Sequence, residues 1–158
     1  MKIANITASL HRHAIEIEGI AEAVEHRQFV FVEVETESGE TGFGVTGQFL
    51  PWSIIPCVEQ HILPAIKGMD IRDTERIHHA VWKKLNPRTY TGVISNALSA
   101  IDIALWDIKG KRLGVPIYDL MGGKTRQKVR CYMHVRGDTL DKLVQDAVAK
   151  VRQGFTRL

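Results

Sequence analysis

The polarity pattern divides the 158-residue chain into a front that alternates and a back that repeats with helical period. Residues 2–10 set Ile3 and Ile6 among small and polar neighbours, a loose first strand. Residues 28–35, QFVFVEVE, alternate cleanly, with either Phe29 and Phe31 or Val30, Val32 and Val34 on one side. A period of two predicts a strand. Residues 36–40, TESGE, supply a turn, because Gly39 tolerates positive φ, and residues 41–45 return as the partner strand. The front thus reads as a three-stranded antiparallel meander. Two stretches fall outside the pattern and read as loops: residues 11–25, HRHAIEIEGIAEAVE, and residues 46–52, TGQFLPW.

From residue 53 the period becomes helical. Ile54, Val58, Ile62 and Ile66 keep the spacing although Pro56 and Pro64 interrupt it, which predicts a kinked helix or two shorter ones. Asp73 is placed to cap a helix over 74–85, with Ile77, Val81 and Leu85 on one face. Asn86-Pro87-Arg88 breaks that helix, and Thr91 or Ser95 starts the next. Here Ile94, Leu98, Ile101, Leu105 and Ile108 form one apolar stripe. Ala97, Ala100 and Ala104 widen it with small side chains, so a neighbouring backbone can come close. Asp107 stands four residues before Lys111, the favourable order for an ion pair along a helix. Gly114 and Pro116 end the helix, and a short apolar segment, 117–121, follows.

Past Gly123 a polar linker leads to residues 129–135, VRCYMHV, which read as a strand. Gly137-Asp138 turns the chain, and Asp138 or Thr139 caps a helix whose face is Leu140, Leu143, Ala147 and Val151. Gly154 closes it, and residues 155–158 begin another strand. Strand, helix and strand start make the βα unit of a parallel sheet or a (β/α)8 barrel. A lone unit of this kind cannot bury both faces, so the ending reads as a truncation. The expected domains are 1–124 and 125–158.

The helix around residue 100 carries a resemblance. Ala97, Ser99-Ala100-Ile101-Asp102, Ala104-Leu105, Asp107-Ile108, Gly110-Lys111, Pro116-Ile117 and Leu120-Met121-Gly122 follow without a gap the pattern of mandelate racemases and muconate lactonizing enzymes. These belong to the enolase superfamily, and the order of elements along the whole chain is similar to theirs. The resemblance implies an α+β fold: an enolase-like N-terminal capping domain, meander then helical bundle, followed by the first βα unit of a (β/α)8 barrel. It implies an enzyme that abstracts the proton α to a carboxylate with Mg²⁺ stabilising the enediolate. Family members are much longer than this chain. Their bases and metal ligands lie on later barrel strands, so no catalytic and no metal residue is carried over, and the chain alone is expected to be inactive.

Composition narrows the reading only modestly. Hydrophobic residues at 44% and charged ones at 25% are ordinary globular values. No apolar run approaches membrane-spanning length and no signal peptide is visible; Cys57 and Cys131 form no CxxC. A cytoplasmic protein with reduced thiols is expected. Acidic residues outnumber basic ones 14 to 9 before Lys109, and basic outnumber acidic 12 to 4 from there on. The basic residues are spread over helix, turn and strand with few aromatics, so a solvated face or an acidic partner is expected rather than nucleic acid. The seven histidines show no zinc spacing. Asp102 and Asp107, five apart on a helix, lie on different azimuths and cannot converge on one ligand. The glycines of 42–47 do not precede a helix, so close strand packing explains them better than a dinucleotide fingerprint.

In enzymes resembling this one, two early loops close over the barrel mouth and set specificity. Those loops correspond to residues 11–25 and 46–52. The expected substrate-binding residues are His13 and Gln48 as hydrogen-bonding groups and Phe49 and Trp52 as apolar walls. Arg88 and Tyr90 precede the long helix, and His134 lies at the end of the first barrel strand, where barrel enzymes place active-site groups. The polar, histidine-rich first loop favours a hydroxylated carboxylate. The expected function is therefore an acid-sugar dehydratase, a lyase, acting on a small carboxylate such as a sugar acid, as a homo-oligomer. A racemase or cycloisomerase of the same family is the alternative, and a non-catalytic α+β interaction domain the alternative from another class.

Overall fold

The computed structural model describes residues 1–16, 24–47, 50–85 and 91–157. Three strands, β1 (Ile3–Glu16), β2 (Val24–Thr36) and β3 (Thr41–Thr46), form one sheet in the order β1-β2-β3. β2 and β3 run antiparallel, in register from Val30 opposite Thr46 to Glu35 opposite Thr41. Gly39 takes φ 87° in the connecting turn, as expected for a residue without Cβ. Val30, Val32 and Val34 are fully buried and Phe31 is 41% exposed, so the valine side faces the core.

Both loop expectations are corrected: Thr46 ends β3, Pro51 and Trp52 open a helix, and residues 48–49 lie outside the described residues. Residues 11–16 and 24–25 belong to strands, not to a loop, and make β1 and β2 long hairpin arms; residues 17–23 lie outside the described residues. His11, Arg12, His13 and Ala14 are all exposed. With His11 to Ala14 exposed on both sides of the strand, no apolar alternation is needed there, and the sequence signal for a strand vanishes.

The two prolines shape the next segment. α1 (Pro51–Pro56) passes into a π-helical turn (Cys57–Ile62) and then α2 (Leu63–Ile66). Pro64 offers no N–H, and its ring collides with a carbonyl in α-helical register. The π turn absorbs this by letting the Leu63 N–H reach back five residues to the Val58 carbonyl. α3 (Thr74–Leu85) follows, then α4 (Gly92–Leu113), which ends at Gly114 with φ 68°. α5 (Ile117–Leu120) is a single turn. α6 (Leu140–Arg152) is capped by the Thr139 hydroxyl, which accepts the Lys142 N–H at 3.3 Å.

α4 lies directly on β3. A Cβ built on Gly42 would sit 2.2 Å from the Ala104 carbonyl oxygen, and one on Gly44 only 1.8 Å from that of Ala100. Ala97, Ala100 and Ala104 are fully buried along this seam. β3 is an edge strand, and its Phe43 N–H donates to Asp107 Oδ2 at 2.9 Å instead of to a fourth strand. Lys111 holds Asp107 at 2.6 Å and donates to the Thr41 carbonyl at 3.2 Å. The Asp107–Lys111 pair foreseen on the helix thus also fastens the helix to the sheet. Around the seam a single core joins Ile3, Ile6 and the valines of β2 to Ile54, Val58, Ile62, Ile77, Ile101, Leu105 and Ile108.

The chain forms two compact units: Met1–Arg12 with Gln28–Gly123, and His13–Arg27 with Lys124–Leu158. In the second, residues 129–135 build no ladder; their link to the following segment is the Met133 N–H donating to the Arg157 carbonyl at 3.3 Å. A barrel strand needs a neighbour on each side, and one start of a neighbour gives one bond. On α6, Leu140, Val144, Val148 and Val151 are exposed, two of them (Leu140 and Val151) from the face expected to be buried.

Glu40 ties the hairpin turn to the end of α4. It accepts hydrogen bonds from the Ser38 and Thr36 hydroxyls and lies 3.0 Å from Arg112 Nη1. These bonds, that from Ser38 foremost, hold its carboxyl down to about 2 from an ordinary 4.5. A depressed carboxyl adds stability above its unfolded pKa and loses it as the pH falls. Melting temperature is expected to fall between pH 4.5 and 2, and Glu40→Gln to flatten that limb. Gly44→Ala is expected to destabilise by about 3 kcal/mol or more, whereas Gly47→Ala, with open space around it, shifts urea unfolding by less than about 0.5 kcal/mol.

Candidate functional site

The stretch leading into α1 shows the clearest departure from relaxed geometry. Leu50 sits at φ 52° and ψ 46°, the left-handed region, and is 62% exposed. A leucine there carries strain of about 1–2 kcal/mol. Its carbonyl accepts the N–H groups of Ser53 at 3.0 Å and Ile54 at 3.1 Å, so the helix start itself holds the strained residue. Two residues on, Trp52 is 67% exposed. A strained residue thus precedes an exposed indole in the first turn of α1. Gln48 and Phe49, expected in the same loop, lie outside the described residues, as do Arg88 and Tyr90.

On the hairpin arm His13 is exposed on β1. Its neighbour His11 is engaged locally, with Ser9 Oγ 3.0 Å from Nε2 and the ring edge-on to Phe31 at 4.7 Å. His134 is exposed in the second unit and stands edge-on to Tyr132 at 5.2 Å. The backbone just beyond it is fixed: the Arg136 N–H donates to Asp146 Oδ2 at 2.7 Å. His13 and His134 thus fall in one compact unit and Trp52 in the other.

A groove on the first unit was not legible in the sequence. It has a volume of about 590 Å³ and is lined by α3 and α4, with Glu75, His78, His79, Trp82, Ser99 and Asp102 among its walls. His78 Nε2 lies 3.2 Å from Asp102 Oδ1, and His79 packs against Trp82 at 5.7 Å. Only the helix faces bring these residues together; α3 and α4 are separated by a break with no periodic signal. Asp102 pairs with His78 while Asp107 serves β3, so the two carboxylates do diverge as their azimuths require. Among the described residues no group of three or more His, Cys, Asp or Glu could hold a metal ion, and no helix is long and apolar enough to cross a membrane.

With meander, glycine–alanine seam and helix pattern in place, comparison decides the family. The mandelate racemase / muconate lactonizing enzyme N-terminal domain profile matches residues 5–122. The chain belongs to this family of the enolase superfamily. Among curated members it is 33% identical over 130 residues to a D-galactonate dehydratase family member of Halomonas elongata, covering 82% of this chain and 32% of that protein. A D-mannonate dehydratase of Caulobacter vibrioides is 36% identical over 135 residues, with the same 82% and 32% coverage. The chain therefore spans about a third of the length of the curated relatives it matches. Among solved structures, a candidate mandelate racemase of Bordetella bronchiseptica, complexed with 2-oxoglutarate and phosphate, superposes with TM-score 0.84 at 32% identity, covering 98% of this chain and 42% of that one. A candidate family member from Roseovarius nubinhibens complexed with magnesium gives TM-score 0.74 at 26% identity, covering 98% and 43%. The α+β capping-domain fold is that of the family.

Two substitutions separate strain from packing. Leu50→Gly is expected to raise stability by up to about 1 kcal/mol, and Trp52→Ala to leave it within about 0.5 kcal/mol, both read from urea midpoints. A loss of about 2 kcal/mol in either would make that residue part of the core rather than of a binding loop.

Proposed function

We propose that this chain is the N-terminal part of a Mg²⁺-dependent acid-sugar dehydratase, in which it forms the substrate-specificity lid and the first barrel element. The observation that carries the reaction class is the naming of relatives at 33% and 36% identity over four-fifths of this chain: one is a D-galactonate dehydratase family member, the other a D-mannonate dehydratase. The reaction removes the proton α to the substrate carboxylate and expels the neighbouring hydroxyl as water. The resulting enol becomes a 2-keto acid. The magnesium complex of one structural neighbour supports the metal. On this reading the metal ligands and the catalytic bases belong to later barrel strands of the whole enzyme.

The lid role rests on this chain's own features. The hairpin tip, His13–Arg27, shares a compact unit with Lys124–Leu158, which holds the element read as the first barrel strand and helix. His13 is exposed there, and the strained Leu50 and exposed Trp52 mark the second loop. An aromatic wall and hydrogen-bonding groups that close over a sugar acid exclude water and strengthen the charge interactions inside. The domain boundary falls near residue 124. The exposed apolar positions of α6 are the faces that the remaining barrel covers. Both cysteines are free, Cys57 buried with its thiol pushed up by burial and Cys131 exposed, in keeping with a reducing cytoplasm.

The full-length protein incubated with a panel of six-carbon sugar acids and Mg²⁺ is expected to release a 2-keto product. Chelation should abolish the release, and Trp52→Ala should raise KM more than it lowers kcat. Exchange of the α-proton with solvent and no elimination would replace the dehydratase reading with a racemase.

A further inference from the structure

The second unit contains an ion pair that packing alone does not require. Asp146 and Lys150, four apart on α6, are paired with only 10% of either side chain exposed. A buried pair of this kind contributes little net stability, and apolar residues in its place are often neutral or stabilising. The same helix leaves Leu140, Val144, Val148 and Val151 exposed.

The pair has a third member. Asp146 Oδ2 also accepts the Arg136 N–H at 2.7 Å, two residues past His134. The next residue is held as well: a Cβ on Gly137 would lie 2.6 Å from the Leu143 nitrogen and 2.9 Å from the Lys142 carbonyl carbon. Asp138 is 2.8 Å from Lys142 Nζ, and the Thr139 hydroxyl caps the helix. Arg136, Asp138 and Thr139 are therefore each bonded to the first two turns of α6, and Gly137 packs closely against their backbone. Lys150 and the Arg136 amide both stabilise the charged carboxylate, and they hold its pKa below the ordinary value.

We propose that Asp146, oriented by Lys150, is a positioning residue that locks the strand-to-helix turn at 136–139 and thereby fixes where His134 and Arg136 reach at the barrel mouth. The inference rests on the reading of residues 125–158 as the first barrel βα unit. A ligand-binding strand end benefits from such a lock because a misplacement of about 1 Å can cost about a hundredfold in rate. The buried charge then serves geometry rather than stability.

Two measurements keep the lock and the enzyme reading apart. In the 158-residue chain, amide exchange at Arg136 is expected to be slowed, and Asp146→Ala to speed it at least tenfold while Ala147 and Ala149 keep their protection. Asp146→Asn, which retains an acceptor, should stay within threefold of the parent. An Arg136 amide that exchanges as an open-chain amide in the parent, or that ignores Asp146→Ala, overturns the lock. In the full-length protein, Asp146→Ala should lower kcat/KM on the sugar-acid substrate at least tenfold, and Asp146→Asn should restore it. Lost protection with unchanged kcat/KM overturns the positioning role alone. Full-length protein that keeps the lock but turns over no sugar acid removes the enzyme reading instead.

Discussion

The contact between the backbone of α4 and the backbone of β3 is the constraint from which the capping domain is built. Gly42 and Gly44 have no side chain to interpose, and the carbonyls of Ala100 and Ala104 occupy the space where one would be. Once the helix lies that close, its larger residues, Leu98, Ile101, Leu105 and Ile108, meet the valines of β2 and the helices that follow the meander. Asp107 then satisfies the edge amide of Phe43, which would otherwise be open to another strand. Specific close approach and edge protection come from the same two elements. A larger residue at either glycine separates them.

This rigid centre leaves the exposed stretches outside the packing. The seam, the π turn and the Glu40 cluster hold the sheet and helices together without His11 to Ala14 or the stretch at Leu50. The stretch at Leu50 is exposed and strained, its carbonyl held by the Ser53 and Ile54 N–H groups, and His11 to Ala14 on the hairpin arm are exposed. The proposed lid role fits this division. Rigid elements hold the loop bases, and the residues between them change without cost to the core.

The sequence was most informative where burial and spacing coincide. The Val30, Val32, Val34 alternation, the stripe on α4, the Gly39 turn and the Gly114 stop all appear at the positions their chemistry predicts. The small residues of α4 and the glycines of β3 were each readable as surfaces for close packing, and they pack against each other. Legibility failed where burial is absent. His11 to Ala14 are strand residues exposed throughout, so no periodicity marks them. Residues 129–135 are rich in strand formers yet make no ladder, because pairing depends on neighbours that a local pattern cannot supply. The His78–Asp102 groove and the Asp146–Arg136 lock depend on helix placement and on a main-chain amide, neither of which has a residue-type signature. Of the residues expected to bind substrate, His13, Trp52 and His134 are exposed and accessible to a ligand; Gln48, Phe49, Arg88 and Tyr90 lie outside the described residues.

In the proposed lid, residues 11–25 and 46–52 close over a substrate held by the remainder of a longer enzyme. Hydrogen exchange on the full-length protein, with and without Mg²⁺ and a turned-over sugar acid, tests it directly. The account predicts added protection in those two segments, with the α3–α4 groove unchanged. Protection confined to α3 and α4, or none in either segment at saturating substrate, would contradict it.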